Sequence, residues 1–190
     1  MELTTWYLEQ TAAAQIRPGR GPSEEVEVRR AEVPSPELSR FLYTAVGGDW
    51  FWTDRLPWTW QQWHDWLAAP GVETWMASVR GTPAGYIELD GRNPGEVEIA
   101  YFGLLPSFAG LGIGGHLLTE GLRRAWGLAE RWEHQTPIRR VWVHTCSLDG
   151  PAALANYRAR GMELYRTEVT AREDAAETPG PWPGARGVTA

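Results

Sequence analysis

The chain has 190 residues, of which 43% are hydrophobic and 22% charged, a balance typical of one globular domain and not of a mostly disordered protein. No apolar run approaches the roughly 18 residues that cross a bilayer, and residues 1–6 lack the basic and apolar pattern of a signal peptide. The single cysteine, Cys146, excludes an internal disulfide framework. We therefore expect a cytoplasmic protein without a membrane partner.

The net charge of −6 argues against a nucleic-acid partner, because phosphate binding needs clustered positive charge. It favours a cationic small molecule or peptide. All 18 basic residues are arginines, which excludes a lysine Schiff base and a P-loop lysine. His64, His116 and His134 lack the spacing of metal ligands, so no metal is expected.

Four elements are predicted in residues 1–70: strands over 2–9 and Val26–Val33, a helix from Pro36 to Gly47–Gly48, and a helix over Trp60–Ala69. Ser35 has the chemistry of an N-cap, and Pro36 suits the first helical turn.

Beyond residue 70, three strands joined by short turns predict an antiparallel meander, and a long helix follows with leucines at three- and four-residue spacing. The further elements are strands over Val72–Arg80, Ala84–Asp90, Glu96–Leu105, Arg140–His144 and Met162–Thr170, and a helix over Pro151–Arg160. This order predicts a mixed α/β (α+β) fold, with a mostly antiparallel central sheet flanked by helices in a single domain over 1–172. Residues 173–190 are rich in Pro, Gly and Ala and predict a flexible tail.

The sharpest motif is the glycine-rich turn at Ala109–Gly115, which follows a strand and opens a helix. Glycines bring backbone N–H groups close to a ligand, and a helix N-terminus favours phosphate. Two alternatives are a dinucleotide fingerprint, G-x-G-x-x-G, and a purely structural turn. The preceding meander and the few residues that follow argue against the dinucleotide site.

The run VEIAYFGLLPSFAGLGIGGHLL resembles the central motif of the GCN5-related N-acetyltransferases, in which Q/R-x-x-G-x-G/A binds the pyrophosphate of acyl-CoA. Gly112 and Gly114 match the two glycines, and Ala109 stands where the family has Gln or Arg. Downstream, DGPAALANYRARGM resembles N-x-x-A-x-x-L-Y-x-x-x-G-F, with Tyr157 and Gly161 matching.

The resemblance implies a family fold that binds acetyl-CoA without a metal. The residues expected to contact the coenzyme are Phe102, Gly103, Leu104, Gly110, Leu111, Gly112, Ile113, Gly114 and Gly115. A backbone N–H around Phe102–Leu104 is expected to hold the thioester oxygen.

Two catalytic residues follow from the resemblance. Tyr157 is the expected general acid for the leaving thiolate, and Glu98 is the expected base, acting through water. The alternatives are a packed tyrosine at a helix–sheet junction and a solvated strand glutamate. His144 and Cys146 are two residues apart, but that spacing does not ensure contact, and a packed cysteine is favoured over covalent catalysis.

Six of the 12 tryptophans fall between Trp50 and Trp66. Trp50, Phe51, Trp52 and Asp54 are predicted to line an aromatic, acidic acceptor site for a cationic or apolar amine. Spacing by three favours packing of Trp60, Trp63 and Trp66 against the core. An exposed aromatic patch that forms a homodimer is a further interpretation.

The sequence therefore predicts an N-acetyltransferase that moves acetyl from acetyl-CoA to an amine by direct attack. The alternatives are a non-catalytic module that binds acyl-CoA or another ligand, and a nucleotide-dependent oxidoreductase. Small amines, antibiotics, amino acids and protein N-termini all fit as acceptors.

Overall fold

The computed structural model describes residues 2–133 and 136–171, together with 178 and 180. The expectation of a flexible tail over 173–190 falls outside this part of the chain, apart from those last two residues. None of the described helices is both long and apolar enough to span a bilayer.

The elements lie close to their predicted places. The strands are β1 (Glu2–Gln10), β2 (Val26–Arg30), β3 (Val72–Val79), β4 (Thr82–Asp90), β5 (Glu96–Leu104), β6 (Arg140–Cys146) and β7 (Glu163–Ala171). The helices are α1 (Pro36–Gly47), α2 (Trp60–Ala68), α3 (Ile113–Trp126) and α4 (Ala153–Ala159). The main differences are a shorter β2 and an α4 that begins two residues after Pro151.

The strands form one seven-stranded sheet in the order β2-β3-β4-β5-β6-β1-β7. Every neighbouring pair is antiparallel except β5 and β6, which are parallel. The expected mixed, mostly antiparallel sheet is thus confirmed. The order of elements in the sequence did not reveal that β1 lies between β6 and β7. The first and last strands in chain order are therefore neighbours in the sheet.

Local chemistry explains where the first helices begin. The Ser35 hydroxyl accepts a hydrogen bond from the Leu38 N–H at 3.3 Å, which confirms the predicted N-cap of α1. Helix α2 begins after Thr59, whose hydroxyl and backbone N–H exchange hydrogen bonds with Gln62 in a capping box.

The sheet has a packed layer on each face. On one face α3 contributes Leu117, Leu118 and Leu122, all fully buried, to the main core. On the other face α1 packs closely, and a Cβ at Gly103 of β5 would overlap the Val46 side chain. The missing side chain at Gly103 therefore lets α1 approach the sheet.

The parallel pairing between β5 and β6 is short. It covers three residue pairs, from Glu96–Arg140 to Glu98–Trp142, although both strands continue for several residues. A register shift in the β4–β5 pairing leaves Ala100 as an extra residue in β5 immediately after this point. Beyond Glu98 the two strands diverge and leave a gap in the sheet.

Candidate active site

The gap between β5 and β6 presents backbone donors that no strand of the described residues pairs. The N–H of Leu105 donates to the Ala84 carbonyl at 2.9 Å, so that amide points towards β4. Because backbone groups alternate along a strand, the N–H groups of Phe102 and Leu104 point to the opposite edge, where β6 has diverged. This arrangement suits a group that needs hydrogen-bond donors, such as a carbonyl oxygen that becomes negatively charged.

The glycine-rich turn adds a second set of donors beside the gap. Gly112 is the N-cap of α3, with φ of 79°, and no side chain among the described residues caps this helix. The first backbone hydrogen bond of the helix runs from His116 N–H to the Gly112 carbonyl. The N–H groups of Ile113, Gly114 and Gly115 therefore have no partner within the helix, which is the geometry of an anion site.

The residues expected to contact the coenzyme differ in how much of their backbone and side chain is accessible. Gly110, with φ of 80°, has open space where a Cβ would stand, and Leu111 is 44% exposed. The side chain of Ile113 is fully buried, so only its backbone faces the turn. Phe102 is half-buried, and its ring packs against Tyr157 with ring centroids 5.9 Å apart.

An arginine that the sequence analysis missed lies at the same turn. A Cβ at Gly115 would lie 2.6 Å from Nη1 of Arg160, which ends α4. Arg160 Nε is buried and has no hydrogen-bond partner among the described residues. Ala109 offers no side-chain donor, and Arg160 places a cation at the helix start. In the sequence, the signal for Arg160 was its position directly before Gly161, one of the residues that match the second motif.

The N-terminal segment between β1 and β2 runs beside the turn. The Gly19 N–H donates to Oγ1 of Thr119 on α3 at 3.3 Å. A Cβ at Gly112 would lie 3.5 Å from Pro22 Cα. Arg17 and Arg20 belong to this segment and are exposed, so it adds positive charge near the helix start.

Glu98 faces a histidine across the gap. Its Oε1 lies 3.4 Å from Nδ1 of His144 on β6, and both side chains keep contact with solvent. The hydrogen bond with Glu98 is the main cause that raises the pKa of His144, and the charges of Asp149 and Asp54 add to it. The two residues form an acid–base pair at the point where the strands part.

Tyr157 lies on the other face of the sheet. Glu98 alternates with Val97 and Ile99, which belong to the core beneath α3, and Tyr157 is part of that same core. The Tyr157 side chain is 5% exposed, and this burial raises the pKa of its hydroxyl, as does the nearby Asp149 charge. The hydroxyl is thus kept protonated.

Two of the expected acceptor residues pack beside the strands that flank the gap. Trp50 packs its indole against Gly150, in the turn after β6, and is 37% exposed. Phe51 is half-buried, with φ of 59°. Trp52 packs between α1 and the sheet, with its ring 4.8 Å from that of Tyr101.

Asp54 joins this aromatic wall to β5. Its carboxylate accepts hydrogen bonds from the hydroxyls of Tyr43, at 2.8 Å, and Tyr101, at 2.5 Å. The residue is nevertheless exposed. Asp54 and Tyr101 therefore present a carboxylate and an aromatic ring on the face of β5 that also carries Glu98.

The packing of the tryptophans on α2 corrects one expectation. Trp63 is buried as predicted, and the half-buried Trp66 donates a hydrogen bond to Glu88. Trp60 is 55% exposed, stacks on His64 and donates to Glu37. Trp60 and Trp66 lie about 60° on either side of Trp63 around the helix, and α2 is oriented so that the Trp66 side meets the sheet and the Trp60 side does not.

A buried ion pair fixes the Trp-rich segment to the sheet. Arg55 Nη1 lies 2.8 Å from Oε1 of Glu88, and both side chains are almost fully buried. The Arg55 guanidinium also lies over the rings of Trp66 and Tyr101, with centroid distances of 4.2 and 4.3 Å. Burial raises the pKa of Glu88, while Arg55 opposes that rise. The segment carrying Asp54 is therefore rigidly held.

Comparisons with known proteins bear on the family and the fold of this chain. The model of the Acetyltransferase (GNAT) family matches residues 37–162, more than half of the chain. A GCN5-related N-acetyltransferase from Kribbella flavida superposes with a TM-score of 0.60 at 17% identity, covering 87% of this chain and 56% of its own. A GCN5-related N-acetyltransferase from Sphaerobacter thermophilus gives 0.58 at 20% identity, with 88% and 50% covered.

A tandem GNAT protein from the clavulanic acid biosynthesis pathway gives a TM-score of 0.54 at 16% identity, with 91% of this chain and 55% of that chain covered. These likenesses show a shared fold. The chain spans about half the length of these solved structures. No curated protein matches it significantly.

The Glu98–His144 pair predicts a measurable titration. In the folded protein the pKa of the His144 imidazole should lie above its ordinary value of 6.5, and Glu98→Gln should bring it back towards that value. Stability from the pair is then fully present below pH 6.5 and is lost as the pH rises through the raised pKa. NMR titration of the imidazole, assigned with His144→Gln, measures this. An unchanged titration in Glu98→Gln would exclude the pairing.

The buried ion pair predicts a large loss of stability on breaking it. Arg55→Leu should cost about 3–5 kcal/mol in the free energy of unfolding, because Glu88 is left buried without its partner. Arg123→Leu is the control: it breaks an exposed pair with Glu120 and should cost no more than about 1 kcal/mol. Denaturant unfolding measures both, and equal losses would contradict the role given to Arg55.

Proposed function

Because the chain belongs to the GNAT acetyltransferase family, we propose that it is an acetyl-CoA-dependent N-acetyltransferase in which an amine attacks the thioester directly. One observation carries the proposal. The N–H groups of Phe102 and Leu104 face the gap where β5 and β6 diverge, and the start of α3 adjoins it, since a Cβ at Gly114 would lie 3.5 Å from the Leu104 side chain. A thioester with a diphosphate tail needs both kinds of donor.

The residues at the turn fit this coenzyme. Acetyl-CoA, when bound, supplies an activated acetyl group and a thiolate leaving group. The N–H groups of Ile113, Gly114 and Gly115 would hold its diphosphate, with the exposed backbone of Gly110–Gly112 alongside. The Arg160 guanidinium adds the charge that Ala109 does not supply. Phe102, Gly103 and Leu104 would border the acyl end.

The residues at the gap have distinct roles in the proposed mechanism. Glu98 accepts the proton of the attacking amine through a water molecule, and His144 positions the carboxylate across the gap. The Leu104 N–H donates to the acyl oxygen as negative charge develops. Tyr157, on the other face, donates its proton to the departing sulfur. Protons are thus removed on one face of the sheet and supplied on the other.

The proposed acceptor is an amine that is positively charged before it reacts. Glu98 and Asp54 place two carboxylates on one face of β5, and the segment of Trp50, Phe51 and Trp52 supplies aromatic rings, with Trp50 against Gly150 and Trp52 against Tyr101. Carboxylates attract an ammonium group, and aromatic faces bind it further. Small molecules and peptides both carry such a group, and the net charge of −6 disfavours nucleic acid.

We place residues 1–172 in one catalytic domain acting in the cytoplasm without a metal. Thiol release tests this function: purified protein with acetyl-CoA and a panel of amines should release coenzyme A faster than either component alone. Polyamines and amino-acid amides should lead the panel over neutral alcohols. Coenzyme binding without thiol release on any amine would favour a non-catalytic acyl-CoA-binding module, and binding of nicotinamide nucleotides alone would favour an oxidoreductase.

Two glycines with matched backbones test the coenzyme site. Gly110 and Gly81 both have φ of 80° and open space at the Cβ position, but only Gly110 belongs to the turn before α3. Gly110→Val should weaken coenzyme A binding by about tenfold or more, because the side chain enters the space beside the unpaired N–H groups. Gly81→Val should strain its turn equally and leave affinity unchanged. Calorimetric titration compares them, and equal affinities would contradict the site.

Removal of the Tyr157 hydroxyl should separate chemistry from binding. Tyr157→Phe should lower kcat by roughly 10²-fold or more, the effect typical of a lost general acid, with little change in coenzyme affinity. Tyr86→Phe is the control, since Tyr86 is also buried, on β4 away from the turn. Steady-state kinetics and thermal unfolding measure both. Equal kcat for the two variants would remove Tyr157 from the acid role.

A further inference from the structure

Strand β7 forms one edge of the sheet and is exposed along almost its whole length. Eight of its nine residues are exposed, and Glu168 is half-buried. The exposed set includes three large apolar side chains, with Leu164 39%, Tyr165 42% and Val169 59% exposed. Its inner edge pairs with β1, and no strand in the described part of the chain pairs with its outer edge.

A long, exposed and partly apolar edge strand is a template for another strand. We propose that the outer edge of β7 forms a homodimer interface, in which β7 of a second copy pairs antiparallel to it about a two-fold axis through Thr167. The proposal is independent of the enzymatic function, because no residue of the candidate active site lies on β7.

The sequence of β7 is complementary to itself in this register. Pairing about Thr167 sets Arg166 of each copy opposite Glu168 of the other, which gives two ion pairs. Tyr165 is the extra residue of a bulge in the β1–β7 pairing, and its ring contacts Tyr7 on the face that also carries Arg166 and Glu168. Within one chain Arg166 and Glu168 already form an ion pair, so both side chains lie on the same face of the sheet.

Other registers are disfavoured by charge. A shift of two residues is the smallest that keeps each side chain on its own face. It sets either Arg166 opposite Arg166 or Glu168 opposite Glu168, and like charges directly opposite each other destabilise a strand pair. The register about Thr167 is therefore the one that forms both ion pairs, and it is compatible with a closed two-fold dimer.

The opposite edge of the sheet is a weaker candidate. Strand β2 has five residues, and its valines, Val26 and Val28, are half-buried under the neighbouring structure. It carries a similar exposed ion pair between Glu27 and Arg29. This likeness makes β2 the matched control, because the same charge reversals can be placed on either edge.

The test reverses the charges at Arg166 and Glu168, singly and together, and measures the molar mass of each variant by light scattering after gel filtration. The wild type should be a dimer, whereas Arg166→Glu alone and Glu168→Arg alone should each weaken dimerisation by about tenfold or more. Mixing the two single variants should restore a heterodimer, because each reversed charge then meets its opposite. The double variant should also dimerise. Arg29→Glu should leave the dimer intact.

Each result bears on the proposal. Loss of the ion pair within one chain cannot explain rescue on mixing, so rescue supports the interface even if a single variant is less stable in thermal unfolding. A monomeric wild type at millimolar concentration overturns the proposal. So do single variants that dimerise as the wild type does, or a dimer that dissociates on Arg29→Glu.

Discussion

The candidate site depends on the short pairing between β5 and β6. The two strands share three residue pairs, whereas β5 is held to β4, and β6 to β1, over six pairs each. Each strand therefore has a complete partner on its far side, so the gap between them costs few backbone hydrogen bonds. Phe102 and Tyr157 pack against each other on one face beside the gap, and α1 contacts Gly103 on the other. The opening belongs to the folded sheet and needs no ligand to form.

Charge is distributed to match two different ligands. The start of α3, with its unpaired N–H groups and Arg160, suits an anion. The opposite face carries Glu98 and Asp54, which suit a cation. The sheet separates the two regions, and they meet only at the gap. In the proposed reaction this arrangement holds the diphosphate and the amine apart while the thioester and the nucleophile come together.

Local signals in the sequence were sufficient for much of the fold. Ser35 marked the start of α1 because an N-cap is decided by a few neighbouring atoms. The glycines before α3 marked the helix start because left-handed backbone is nearly confined to glycine. The roles of Tyr157 and Glu98 came from resemblance and remain predictions, although the structure sets both beside the gap.

Contacts between distant residues could not be predicted from one sequence. The insertion of β1 between β6 and β7 joins residues more than 130 positions apart, and no local pattern encodes such a pairing. His144 was assessed beside Cys146, its neighbour on the strand, whereas its partner is Glu98 on another strand. The outward position of Trp60 depends on how α2 lies on the sheet, which spacing alone does not fix.

The central claim is that backbone amides at the β5–β6 gap and at the start of α3 bind the coenzyme. Two-dimensional amide NMR during titration with acetyl-CoA tests it most directly. The account predicts that the largest shifts occur at the amides of Leu104, Ile113, Gly114 and Gly115, with saturation at a single affinity. Saturable binding that leaves these four amides unmoved and shifts others instead would contradict it.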